Sequence, residues 1–76
     1  MARLPDLSGK ELIKALVKTG FTVMRQKGSH VILEKNTPAK KFITVVPLHS
    51  SLKKGTLSDI IKQAGLTREK LLSLLD

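Results

Sequence analysis

The sequence predicts an α+β fold, a two-layer α-β-β-β-α sandwich with a three-stranded antiparallel sheet. Two stretches near either end, Leu12–Val17 and Leu57–Ala64, carry apolar residues at helical spacing. Between them lie three runs rich in Val, Ile, Thr and Phe, bounded by Gly, Asn, Pro and Ser. Only a few residues connect these runs. That is too short for parallel crossovers, so the strands form an antiparallel meander. Helices that flank a meander in sequence can pack on one of its faces and leave the other open.

Leu4-Pro5-Asp6-Leu7 is a short lead-in. Ser8-Gly9-Lys10-Glu11 then reads as a capping box, with Ser8 as N-cap and Glu11 reaching back. The first helix follows over about 9–19. Leu12, Ile13, Leu16 and Val17 form its apolar face, Lys10, Lys14 and Lys18 its polar one, and Gly20 ends it. Phe21 to Gln26 is the first strand and Lys27-Gly28-Ser29 the turn, where Gly28 can supply positive φ without steric cost. His30 to Lys35 is the second strand, with Val31 and Leu33 on one face and His30, Ile32 and Glu34 on the other. Asn36 to Lys40 makes a looser turn. The third strand runs from Lys41 to Val46, and Pro47 stops it. After a polar, basic loop from His49 to Gly55, Thr56 is the expected cap of the next helix, with Asp59 at its third position. Leu57, Ile60, Ile61 and Ala64 form its buried stripe, and Gly65 stops it. Thr67 caps a short last helix with apolar Leu71, Leu72, Leu74 and Leu75.

A chain of 76 residues is expected to be one domain, spanning 1–76. A domain of this size buries only about 60% of its unfolded surface, so its core is thin. No Cys is present, so no disulfide or thiolate metal site staples it, which fits a cytoplasmic protein. No run resembles a signal peptide or approaches the ~20 apolar residues of a membrane span. Fourteen Lys and Arg against six Asp and Glu give a net charge of +8, and the pI is near 10.2. Such an excess points to an anionic partner: nucleic acid, a charged membrane surface or an acidic protein. Phe21 and Phe42 are the only aromatic residues, which argues against a base-stacking platform.

The sequence lacks a His-Glu-x-x-His helix, a cluster of carboxylates and a phosphate-binding Gly-x-x-x-x-Gly-Lys-Ser/Thr loop. No metal or other cofactor is therefore expected. The best chemical candidate is His30, preceded by Lys27, Gly28 and Ser29 in the hairpin. An imidazole exchanges a proton near neutral pH. In RNA the 2′-hydroxyl lies beside the scissile phosphate. A base that removes its proton, or an acid that protonates the departing 5′-oxygen, drives internal transesterification without a metal. Arg25 and Lys27 are placed to hold the phosphate and stabilise its charge. A lone strand His is more often simply exposed or hydrogen-bonded; the same holds for His49 in the loop after Pro47, which could instead bind phosphate, contact the partner or cap a helix. Lys53 and Lys54 read first as a solvated pair; beside the next helix start they also suit phosphate contacts. From the residues alone, a non-catalytic basic RNA-binding module and a docking module for an acidic protein both remain open.

One ordered set of residues narrows this choice. It comprises Lys27-Gly28-Ser29-His30, Val46-Pro47-Leu48-His49, Lys54-Gly55-Thr56-Leu57 and Ile60-Ile61-Lys62-Gln63-Ala64-Gly65-Leu66. Over about residues 8–75 it resembles the HicA (YcfA-like) family, the toxins of HicA–HicB toxin–antitoxin systems. The resemblance implies a double-stranded-RNA-binding-like α-β-β-β-α fold. It also implies an mRNA interferase, a ribosome-independent endoribonuclease that halts translation. By its place after the hairpin Gly, His30 is the catalytic residue the resemblance implies, with Gly28 as that Gly. A HicB-type antitoxin is the implied partner, and an acidic face on it would complement the +8 charge.

Overall fold

The computed structural model describes residues 5–75; Leu4 of the expected lead-in lies outside them. The elements are α1 (Gly9–Lys18), β1 (Thr22–Lys27), β2 (His30–Asn36), β3 (Lys41–Pro47), α2 (Lys54–Gln63) and α3 (Arg68–Ser73). The three strands form one antiparallel sheet in the order β1-β2-β3. This is the expected α+β arrangement with an open three-stranded sheet.

Burial separates the two sheet faces. Val31, Leu33, Thr44 and Val46 point to the helices and are buried, while Ile43 and Val45 on the opposite face are 51% and 41% exposed. The inner residues meet Leu12, Ala15 and Leu16 of α1, Leu57, Ile60 and Ile61 of α2, and Leu71 of α3 in one core cluster. Thr44 is the buried polar residue of this layer, and its hydroxyl donates to Gln63 Oε1 at 2.8 Å. The helices pack chiefly over β3, and every residue of β1 is exposed. The hairpin strand therefore protrudes past the helical layer.

Helix boundaries follow local chemistry with two corrections. The Ser8 capping box forms as expected, and Thr67 caps α3 through the Lys70 amide. In α1, Val17 is 47% exposed and Ala15 is buried in its place. At about 100° per residue, Val17 lies roughly 140° around the helix from Leu12, off the stripe that Leu12, Ala15 and Leu16 share. The second correction concerns Thr56, which caps nothing. Helix α2 starts earlier, at Lys54, with Lys53 as N-cap and no side-chain cap bond, so Asp59 is well inside it. A tertiary anchor replaces the cap. Leu52 donates its amide to the Leu7 carbonyl at 2.7 Å, and both Leu52 and Leu57 are buried in the core. Leu52 before the cap and Leu57 in the first turn have the spacing of a hydrophobic staple, which fixes where the helix begins.

Strand boundaries shift by one residue at four points, one of them Asn36, which ends β2 in place of Lys35. Phe21 is buried ahead of β1, and Lys27 joins β1 by pairing with His30. Pro47 closes β3 as its last residue, paired with His30. The turn is thus the two residues Gly28 and Ser29, with φ +60° at Gly28. No described non-Gly residue has positive φ, so the turn has Gly first, as a type II′ hairpin requires.

Candidate active site at the hairpin end of the open sheet face

His30 is the first residue of β2 and is exposed. Its cross-strand neighbours are Lys27 on β1 and Pro47 on β3. Its face is set by alternation. Val31 and Leu33 turn into the core, so His30, Ile32 and Glu34 stand on the open side.

A bulge in β1 brings the cations to the same side. Val23 pairs with Leu33, but Arg25, not Met24, pairs with Ile32. The extra residue shifts the parity of the strand. Arg25 therefore faces as Ile32 does, and Lys27 faces as His30 does. In an unbroken alternation from Val23, both cations would fall on the opposite face from His30. The acid sharing this face by register is Glu34, one position beyond Ile32, and it is already engaged. Its Oε1 accepts from Asn36 Nδ2 at 3.1 Å and lies 3.5 Å from Lys41 Nζ. Arg25, Lys27 and His30 thus gather at one end of an open face floored by Ile32, Val45 and Ile43.

The turn is braced from both sides. Gln26 Nε2 donates to the Gly28 carbonyl at 2.9 Å, and the Leu48 amide donates to the Ser29 carbonyl at 2.7 Å. The second bond continues the β2–β3 pairing past Pro47. Leu48 packs against the core, and His49 follows it, exposed. The Gly9 amide donates to the His49 carbonyl at 2.9 Å, tying this segment to the start of α1. Gly9 is buried against the same stretch, and a Cβ there would run into the Pro47 carbonyl oxygen. The chain after β3 is therefore held by Ser29, Gly9 and Leu7 through three backbone hydrogen bonds.

The structure brings together six of the eight residues singled out in the sequence: Arg25, Lys27, Gly28, Ser29, His30 and His49. Lys53 and Lys54 sit at the start of α2, at the far end of the loop, and Lys54 Nζ lies 3.5 Å from Asp6 Oδ1. Two contributors escaped sequence reasoning. Nothing in Thr22–Lys27 marks Met24 as a bulge, because the run alternates acceptably as a plain strand. Gly9 looked like an ordinary capping-box residue, and its close approach to Pro47 depends on tertiary packing. Among the described residues, no three His, Cys, Asp or Glu gather as a metal-binding group, and no helix is long and apolar enough to cross a membrane.

Comparison with known proteins gives one family. A family model described as the HicA toxin of bacterial toxin–antitoxin systems matches residues 9–66, which contain the hairpin, the His49 segment and α2. No curated protein matches the chain.

Proposed function

The chain belongs to the HicA toxin family of bacterial toxin–antitoxin systems, and from that premise we propose that it is an mRNA interferase. It cuts RNA internally and without a metal or other cofactor, and His30 carries a proton in the reaction. The observation that carries this reading is the Met24 bulge, which sets Arg25 and Lys27 on the open face of His30. A phosphodiester laid on that face meets two cations and one imidazole.

The chemistry follows from what RNA supplies. Its 2′-hydroxyl is an internal nucleophile, so the protein need only move protons and hold the phosphate. Arg25 presents a planar fork suited to phosphate oxygens, and Lys27 presents a compact positive charge. Both stabilise negative charge as it grows on the phosphoryl oxygens. The hairpin protrudes from the helical layer, which leaves a large polymer room to approach. The +8 net charge draws RNA to the protein. It also suits a HicB-type antitoxin with an acidic surface, and such a partner restrains the toxin in the cytoplasm until RNA cleavage is released.

The product ends test this reading. Wild-type protein incubated with RNA in EDTA should leave a 2′,3′-cyclic phosphate and a 5′-hydroxyl. A substrate with a single 2′-deoxy sugar at the cut site should resist at that bond. Binding without scission, or scission that needs a divalent metal, would refute the enzyme proposal and leave a cationic docking surface.

A further inference from the structure

We infer that His49 is the second proton carrier of this site, forming with His30 an acid–base pair for RNA transesterification. The inference rests on the endoribonuclease reading above. It starts from a gap in that reading: cleavage moves two protons at two different oxygens, and His30 is one ring.

The register brings the second ring to the first. His30 pairs with Pro47, and the ladder continues through the Leu48 amide to the Ser29 carbonyl. His49 is only two residues beyond Pro47. A paired Cα separation of about 5 Å plus two extended residues caps the His30–His49 Cα distance at about 12 Å. Leu48 turns inward onto the core. Alternation about it sends His49 to the side that His30 occupies. Both rings are exposed, so a bound phosphodiester can lie between them.

The backbone around His49 is fixed to an unusual degree for a loop. Its carbonyl accepts from Gly9, and the bonds at Leu48 and Leu52 hold the segment on either side. Gly9 lies so close to the Pro47 carbonyl that no side chain fits between them. These contacts use main-chain atoms and leave the imidazole of His49 uncommitted to the fold.

The charged groups around each ring are few. Toward His30 stand Lys27 and Arg25 from β1, with Glu34 further along β2 and engaged by Asn36 and Lys41. The Gly9 amide ties the His49 carbonyl to the first turn of α1, which carries Lys10 and Glu11, and the Leu52–Leu7 bond ties the loop to the lead-in with Asp6, whose Oδ1 lies 3.5 Å from Lys54 Nζ. The Glu11 carboxylate accepts from the Ser8 amide at 3.0 Å. The loop itself contributes Lys53.

The steps balance. One imidazole takes the 2′-hydroxyl proton as O2′ bonds to phosphorus. The other, entering as imidazolium, gives its proton to O5′ as the bond between phosphorus and O5′ breaks. The products are a 2′,3′-cyclic phosphate and a 5′-hydroxyl. The rings leave with exchanged protonation states, which solvent resets.

Rates of RNA cleavage against pH, in EDTA, test the pair. The wild type should give a bell-shaped profile in kcat/KM, one limb for the base and one for the acid. His49→Ala and His49→Gln should each lose one limb and at least about 100-fold in kcat, the usual worth of a positioned proton carrier. A substrate with a 4-nitrophenolate leaving group needs no acid, so it should rescue one of the two single variants, His49→Ala or His30→Ala, and not the other. A folded His49→Ala protein that keeps both limbs would overturn the inference. So would a change in KM alone, which would make His49 a phosphate contact. In either case loss of cleavage in His30→Ala would leave the endoribonuclease reading standing. A wild type that cuts no RNA would remove both.

Discussion

His30 was legible as a candidate for the site because its surroundings in the sequence are local. Gly28 marks the turn, the strand after it alternates, and alternation alone assigns His30 to the face away from Val31 and Leu33. Arg25 and Lys27 were legible as neighbours but not as occupants of that face, since the bulge at Met24 has no local sign. His49 was still less legible. Its nearness to the hairpin depends on β3 pairing with β2 and on Gly9 closing against Pro47. Phosphate contact by Lys27 predicts a specific salt signature. For single-stranded RNA, Lys27→Ala should reduce the slope of log affinity against log salt by about 0.7, the share of one released counterion. An unchanged slope would mean that Lys27 touches no phosphate.

At the scale of elements, hydrophobic periodicity gave the helices and strands, and turn chemistry gave their order. The α2 start was misread where a tertiary contact outweighed a local preference. Thr56 is a good N-cap residue, yet Leu52 anchored to Leu7 starts α2 before it. Two glycines distinguish backbone strain from crowding. Gly28 has φ +60° with open space around it, whereas Gly65 has φ +69° and a Cβ there would lie 2.6 Å from Phe42 Cε1. Gly28→Ala should cost about 1–3 kcal/mol from backbone strain alone. Gly65→Ala should cost more, because the Phe42 ring must also move. Thermal denaturation of the two variants checks the order, and equal losses would contradict it. The bulge makes a prediction of its own. Deleting Met24 removes the extra residue and leaves Val23 opposite Leu33 and Arg25 opposite Ile32 as a regular ladder. The variant should fold and retain RNA binding, as circular dichroism and a binding titration would show. Loss of fold or of affinity would mean that the bulge supplies more than register.

At the scale of the molecule, the layer arrangement separates stability from chemistry. The core lies between the inner sheet face and the helices, while the candidate site lies at one end of the outer face. Substitutions should sort accordingly. Leu33 is fully buried, and Leu33→Ala should cost about 2–5 kcal/mol. That is a large share of the 5–15 kcal/mol typical of a folded domain, so a marked fall in Tm is expected. His30 is exposed at a strand start, and His30→Ala should alter stability by no more than about 0.5 kcal/mol. This separation makes one measurement decisive for the central claim that His30 performs the chemistry. RNA cleavage in EDTA by wild type and His30→Ala should be compared, with the Tm of each recorded on the same preparations. The expected result is a Tm within about 4 °C of the wild type with cleavage lowered by at least about 100-fold. A folded His30→Ala protein that cuts RNA at the wild-type rate would contradict the claim.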